Sequence, residues 1–247
     1  MRIASWNCCC AFRKKWEYLD AFGADLMVVP EAEEPARLPT ELLERYPHHL
    51  WVGDIPYKGL LVMATAAYPL RVLDAYDPAH RYVLPVEVGG SSPITLMAVW
   101  SQRDKQRTYT EHLWHALHAY ESRMTGRTVV IGDCNANTIW DKDHRRDVTH
   151  TQIVSWLAER GLESAYHHLT RESQGAESAA THAFRRNPES LFHIDYAFVS
   201  KPMLGDATIT VPPVAEWVGH SDHGPLILDL PRGVGGSYFD SSGPSYL

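Results

Sequence analysis

Apolar runs of four to eight residues recur at 3–6, 26–30, 59–64, 94–100, 128–132, 194–199, 207–211 and 226–230, most bounded by Gly, Pro, Asp or Asn. Runs of that length with such boundaries predict strands. Between some of them, apolar positions spaced by three and four predict helices from Arg13 to Phe22, Thr40 to Tyr46, Thr108 to Met124 and Thr149 to Arg160, the last closed by Gly161. Strands outnumber helices, and several are joined by loops too short for a crossover helix. The pattern therefore predicts an α/β chain with two packed mixed β-sheets flanked by helices, rather than one parallel doubly wound sheet. No internal repeat is present. Residues 1–230 read as one domain, and residues 231–247, rich in Gly and Ser, as a flexible C-terminal tail whose Tyr238, Phe239 and Tyr246 would let it dock.

Composition narrows the class. A chain of 247 residues, 45% hydrophobic and 21% charged, matches one large globular domain and not a disordered one. The net charge of −7 excludes the overall cationic field that drives non-specific duplex binding. A locally basic groove stays compatible with it, and Arg145-Arg146, Arg185-Arg186 and Arg103, Lys105 and Arg107 are the available cations. Cys8, Cys9 and Cys10 are consecutive and Cys134 stands apart, so neither a disulfide framework nor a Cys-x-x-Cys zinc spacing exists. The chain opens on a strand-like segment without a signal peptide, and no apolar stretch approaches the ~18 residues of a membrane span. A monomeric cytoplasmic protein with no membrane partner is expected.

Candidate chemistry lies at the ends of the apolar runs. Trp6-Asn7 follows Arg2 to Ser5, Glu31 follows Leu26 to Pro30, Asp133-Cys134-Asn135 follows Val129 to Gly132, and Ser221-Asp222-His223 precedes Leu226-Ile227-Leu228. Acidic and amide groups at strand ends are what a hard dication working on phosphate requires. Glu31 is the first choice as metal ligand, with Glu33 and Glu34 as surface charges on the following loop. In extended chain Asp133 and Asn135 leave the same face, and Cys134 points away as a small core hydrophobe. Asp222 and His223 point oppositely and serve different partners, and Asp195 is a candidate to orient the imidazole. Cys8, Cys9 and Cys10 read as packing residues.

Taken together, these segments resemble the endonuclease/exonuclease/phosphatase superfamily, which includes DNase I-like and exonuclease III-like enzymes. The likeness runs through Ser5-Trp6-Asn7, Val28-Val29-Pro30-Glu31, Gly132 to Asn135, Ile194-Asp195-Tyr196 and Ser221-Asp222-His223, in order over residues 1–230, with Thr181-His182-Ala183-Phe184 as a looser match. It implies a four-layered α/β sandwich and a magnesium ion, or manganese in its place, held by Glu31 with Asn7 and Asp222. It implies further that Asp133 and Asn135 position phosphate or nucleophile, and that Asp195 pairs with His223 as base or transition-state stabiliser.

The implied activity is phosphodiester hydrolysis by in-line attack of water, with a phosphate ester as substrate and nucleic acid within that class. The alternatives are a phosphomonoesterase on a small phosphorylated molecule and an inactive binding module of the same fold. Two departures stand out. Pro30 replaces the usual Gln before the metal Glu, and Trp100 ends the strand that in these nucleases offers a His or Tyr to the leaving group. Competing sites are weaker. Gly219 to His223 lacks the final Gly of a serine-nucleophile elbow. His112, His115 and His118 drift around their helix without a fourth ligand.

Overall fold

The structure, a computed structural model, describes residues 1–142 and 147–231. Arg145, Arg146 and the proposed tail beyond 231 lie outside the described residues. In chain order the elements are β1 (Arg2–Ser5), α1 (Trp16–Asp20), β2 (Leu26–Ala32), α2 (Thr40–Arg45), β3 (His48–Ile55), β4 (Lys58–Ala64), β5 (Leu70–Val72), β6 (Val83–Val88), β7 (Ile94–Trp100) and α3 (Tyr109–Ala119). They continue with β8 (Thr128–Asp133), α4 (His150–Glu159), β9 (Leu162–Ser164), α5 (Ala165–Thr170), β10 (His182–Ala183), β11 (Leu191–Phe192), β12 (Asp195–Ser200), β13 (Thr208–Thr210) and β14 (Leu226–Asp229).

These strands form two six-stranded sheets, ordered β13-β14-β1-β2-β4-β3 and β5-β6-β7-β8-β12-β9, with β10-β11 as a separate hairpin. Period-two alternation explains the layering. Along β2, Leu26 and Val28 face the core between the sheets, where Leu96, Ala98 and Trp100 of β7 meet them. Met27 and Val29 face the opposite way, against Trp16, Leu19 and Leu42. Met97 and Val99 of β7 likewise pack on Leu113, Leu117, Ile153 and Leu157 of α3 and α4. Each central strand is thus buried on both faces, which is why the sequence reads there as unbroken apolar runs. The expected sandwich of two sheets between helical layers is the fold observed.

Helix starts follow their caps. Thr108 with Glu111 and Thr149 with Gln152 form capping boxes on α3 and α4. The first expected helix is shorter than its pattern, because Lys15 leaves helical geometry and splits a 3-10 turn, Phe12–Lys14, from α1. The sequence pattern also passed over β3 and β6. The former is a half-exposed edge strand and the latter carries Pro85 in its middle. No described helix is long and apolar enough to cross a membrane.

Topology gathers the candidate residues. Parallel pairs β1/β2 and β7/β8 send their C-terminal ends to one edge, and the antiparallel partners β4, β12 and β14 begin there. Asn7, Glu31, Trp100, Asp133, Asp195 and His223 therefore come to a single rim, with Asp133 in register with both Asp195 and Trp100.

Candidate active site

Two loops are stitched first. Trp6 donates its indole N–H to the His223 carbonyl at 2.8 Å, and Ser221 Oγ donates to the Asn7 carbonyl at 2.7 Å while accepting the His223 N–H at 3.0 Å. These bonds fix the loop after β1 to the segment before β14. Asn7 then donates from Nδ2 to Asp133 Oδ2 at 2.9 Å and to Glu31 Oε1 at 3.4 Å. One amide so connects the acidic residues of both sheets.

Glu31 sits where β2 breaks register between Pro30 and Ala32, with φ of 65°. A left-handed non-glycine residue costs about 1–2 kcal/mol, and such bulges re-aim a side chain at functional rims. Lys58 reaches Glu31 Oε2 at 3.0 Å and lies 5.4 Å over the Trp100 ring. Burial alone would lower the Lys58 pKa, and the Glu31 carboxylate more than offsets this, leaving it raised.

Asp133 and Asn135 do meet, by a different route from strand alternation. The strand ends at Asp133, and Asn135 adopts φ of 49°. Its backbone N–H bonds Asp133 Oδ1 at 2.8 Å and its Nδ2 bonds Oδ2 at 2.9 Å. Cys134 is buried in the core under α3 and α4. Burial pushes the Asp133 carboxyl up to about 7, against the pull of His223, Asn7 and Asn135.

His223 completes the chain of contacts. Its Nδ1 lies 2.9 Å from Asp195 Oδ2, and its Nε2 lies 4.0 Å from Asp133 Oδ2. Burial opposes a charged imidazole, but the Asp195 and Asp133 carboxylates outweigh it and raise His223 to about 10. Thr181 Oγ1 accepts the backbone N–H groups of Ile194 and Asp195, both at 3.0 Å, and so holds the start of β12. Asp222 stands beside this relay, paired with His182, whose ring centroid is 4.6 Å from that of His223. The His182 imidazole, 3.8 Å from Asp222 Oδ2, holds that carboxylate well below the usual range.

Several sequence expectations change here. Glu33 is not a surface charge; it is fully buried and paired with Arg13. Of the three consecutive thiols only Cys8 packs in the core, while Cys9 and Cys10 are half-exposed in left-handed conformation. Arg186 approaches the Cys9 sulfur at 3.9 Å, and Arg103 lies over Tyr109. Sequence reading gave no role to Lys58 or His182. Lys58 opens an apolar run and His182 precedes Ala183-Phe184, so position at a strand start was the available signal.

No family sequence model and no curated protein sequence matches the chain. Among solved structures, it superposes on a 3′ phosphatase from Neisseria bound to a product DNA hairpin, with TM-score 0.70, 18% identity, and 94% of this chain and 100% of that one covered. It superposes on an AP endonuclease from Archaeoglobus fulgidus with TM-score 0.69, 15% identity and coverages of 94% and 100%. A third is an endonuclease/exonuclease/phosphatase from Beutenbergia cavernae, with TM-score 0.67, 18% identity and coverages of 94% and 72%. The chain shares their DNase I-like fold.

On this DNase I-like frame the donor set fits a hard dication. Glu31 and Asp222 supply carboxylate oxygens, while Asn7 turns its amide N–H toward Glu31 Oε1 and its Oδ1 accepts the Cys9 N–H at 3.0 Å. Asp195 Oδ1 is buried with no hydrogen-bond partner among the described residues, an acceptor left free beside the relay. Asp133, Asp195 and His223 also bring ligand atoms within 4.8 Å of one another. There, however, the Asp195 and Asp133 carboxylates hold His223 protonated, which leaves its ring no lone pair for a metal.

Behind the relay, Asn137 ties the Asn135 turn to β12. Its Nδ2 donates to the His193 carbonyl at 2.9 Å, to the Tyr196 hydroxyl at 3.0 Å and to Glu177 at 3.2 Å. Burial would raise Glu177, but His167 at 3.1 Å and the Gly175 N–H at 2.9 Å overcome it and lower the carboxylate from 4.5 to about 2. A depressed carboxylate stabilises the fold above its unfolded value, and that contribution is lost as pH falls from 4.5 toward 2. At about 1.4 kcal/mol per tenfold change in proton affinity, the loss is about 3 kcal/mol. Urea titrations at pH 7 and pH 2.5 check this: the gap in stability between wild type and Glu177→Gln closes at the lower pH. A gap of constant size contradicts it.

Proposed function

We propose that the chain is a metal-dependent phosphodiesterase acting on nucleic acid, hydrolysing its ester by in-line attack of water. The observation that carries this reading is the unbroken polar chain Glu31–Asn7–Asp133···His223–Asp195, built from both sheets at one rim. Asp133, kept near neutrality by burial, accepts the proton of the attacking water, and Asn135 holds its carboxylate in place. His223, protonated and fixed by Asp195, donates to a phosphate oxygen as negative charge grows there. Magnesium, or manganese in its place, held by Glu31, Asn7 and Asp222, would supply charge stabilisation at the phosphate oxygens.

Cleavage of a single-stranded oligonucleotide, of bis(p-nitrophenyl) phosphate and of the monoester p-nitrophenyl phosphate, with magnesium and with chelator, tests the reading. Turnover that needs magnesium and disappears in Asp133→Ala is the expected result. Turnover confined to phosphomonoester probes shifts the assignment to a phosphatase. No turnover on any probe, with metal still bound, makes the chain a binding module.

A further inference from the structure

We propose that Lys58 contacts substrate: its ammonium binds the phosphate of the ester being cleaved, on the side of the site where Trp100 stands. The inference rests on the phosphodiesterase reading and names a cation that reading does not include. Lys58 opens β4 beside the bulge that aims Glu31, and Nζ lies 3.0 Å from Glu31 Oε2. Glu31 Oε1 turns instead toward the Asn7 amide N–H, so the lysine and the amide take different oxygens of the one carboxylate. Among the described residues, Glu31 is the one hydrogen-bonding partner this side chain reaches. An ammonium carries three N–H groups, and two therefore remain for an anion.

Location points the same way. The Lys58 side chain is 39% exposed, open to an incoming ligand, and the attraction of the Trp100 face helps hold the ammonium at the rim. Trp100 is paired in register with Asp133, so the lysine stands over the strand end next to the group that accepts the proton of water. A cleft of about 470 Å³ opens beside Trp100, lined also by Asp54, Arg81, Tyr82, Ser101 and Arg103. Lys58 itself does not line this cleft; Trp100 joins the two, as a wall of the cleft and as the ring under the ammonium. Trp100 has no acidic hydrogen for a departing oxygen, and the fixed positive charge of Lys58 offsets charge there without giving up a proton.

The test uses the full chain and Lys58→Ala, Lys58→Arg and wild type. A fluorescent single-stranded oligonucleotide is titrated with excess chelator, where no turnover occurs, at several salt concentrations. Loss of one phosphate contact lowers the slope of log affinity against log salt by about 0.7 in Lys58→Ala, and Lys58→Arg restores it. With magnesium, kcat of Lys58→Ala falls at least tenfold and Lys58→Arg recovers most of it.

An unchanged slope with unchanged kcat, accompanied by tighter magnesium binding, overturns the proposal: Lys58 would then only fill the place of the metal. Lys58-dependent binding without turnover by wild type keeps the phosphate contact and overturns the hydrolase reading. Wild type that neither binds nor cleaves the oligonucleotide overturns both.

Discussion

His223→Ala lowers kcat on the oligonucleotide by about 10³-fold with little change in KM, within the range expected for loss of one positioned proton-bearing group. The electrostatics of the rim make the effect large. Asp133 and Asp195 are both buried, and His223 is the cation between them, 4.0 Å from one and 2.9 Å from the other. Its removal leaves two buried carboxylates facing each other and pushes the Asp133 carboxyl further up, so that it is protonated near neutral pH and no longer accepts a proton from water.

Asp195→Asn separates orientation from charge. It keeps an acceptor for Nδ1–H but weakens the charge that holds the imidazole protonated, so its loss is smaller than that of His223→Ala. Its rate falls further as pH rises, because His223 gives up its proton earlier. Steady-state kinetics from pH 6 to 9 on both variants, with unfolding midpoints as a control, check the pair. His223→Ala retaining activity within threefold of wild type removes the relay from the mechanism.

Much of this architecture was legible in the order of residues, and its limits have physical causes. Central strands such as β2, β7 and β8 are buried on both faces, so their composition alone marks them, and Glu31 and Asp133, the acidic residues at the ends of β2 and β8, mark the rim. Edge strands carry no such mark. β3 has half its surface in water, and its His48-His49 start resembles a loop.

Within the site, residue identity was readable and backbone path was not. Asp133 and Asn135 were expected to meet by alternation, but a left-handed turn brings them together, and Glu31 is presented from a bulge rather than a regular strand. Glu33 looked like a solvated charge because burial depends on Arg13, a partner 20 residues away. Lys58 escaped notice for the same reason: its meaning comes from Glu31 and Trp100, which only the fold puts beside it.

Gly132→Ala, placed one residue before Asp133, destabilises the protein by about 3 kcal/mol or more and removes activity from whatever remains folded. Gly132 lies in the middle of its sheet, in register with Val99 on one side and Tyr196 on the other. Its φ is 143°, and a Cβ there would sit 1.9 Å from the Val99 carbonyl oxygen, which belongs to backbone and cannot swing aside. Relief requires β7 and β8 to part, and that breaks the ladder holding Trp100, Asp133 and Asp195 in line.

Gly161→Ala is the matched control. Its φ is also positive, 73°, but no atom lies within 4 Å of the added carbon, so it carries conformational cost alone, about 1 kcal/mol, and leaves kcat unchanged. Urea midpoints and kcat for the two variants distinguish crowding from backbone preference. Equal midpoints for both would mean that β8 tolerates a side chain at this position, and the glycine in Val129-Val130-Ile131-Gly132-Asp133 would then have no part in aiming the carboxylate.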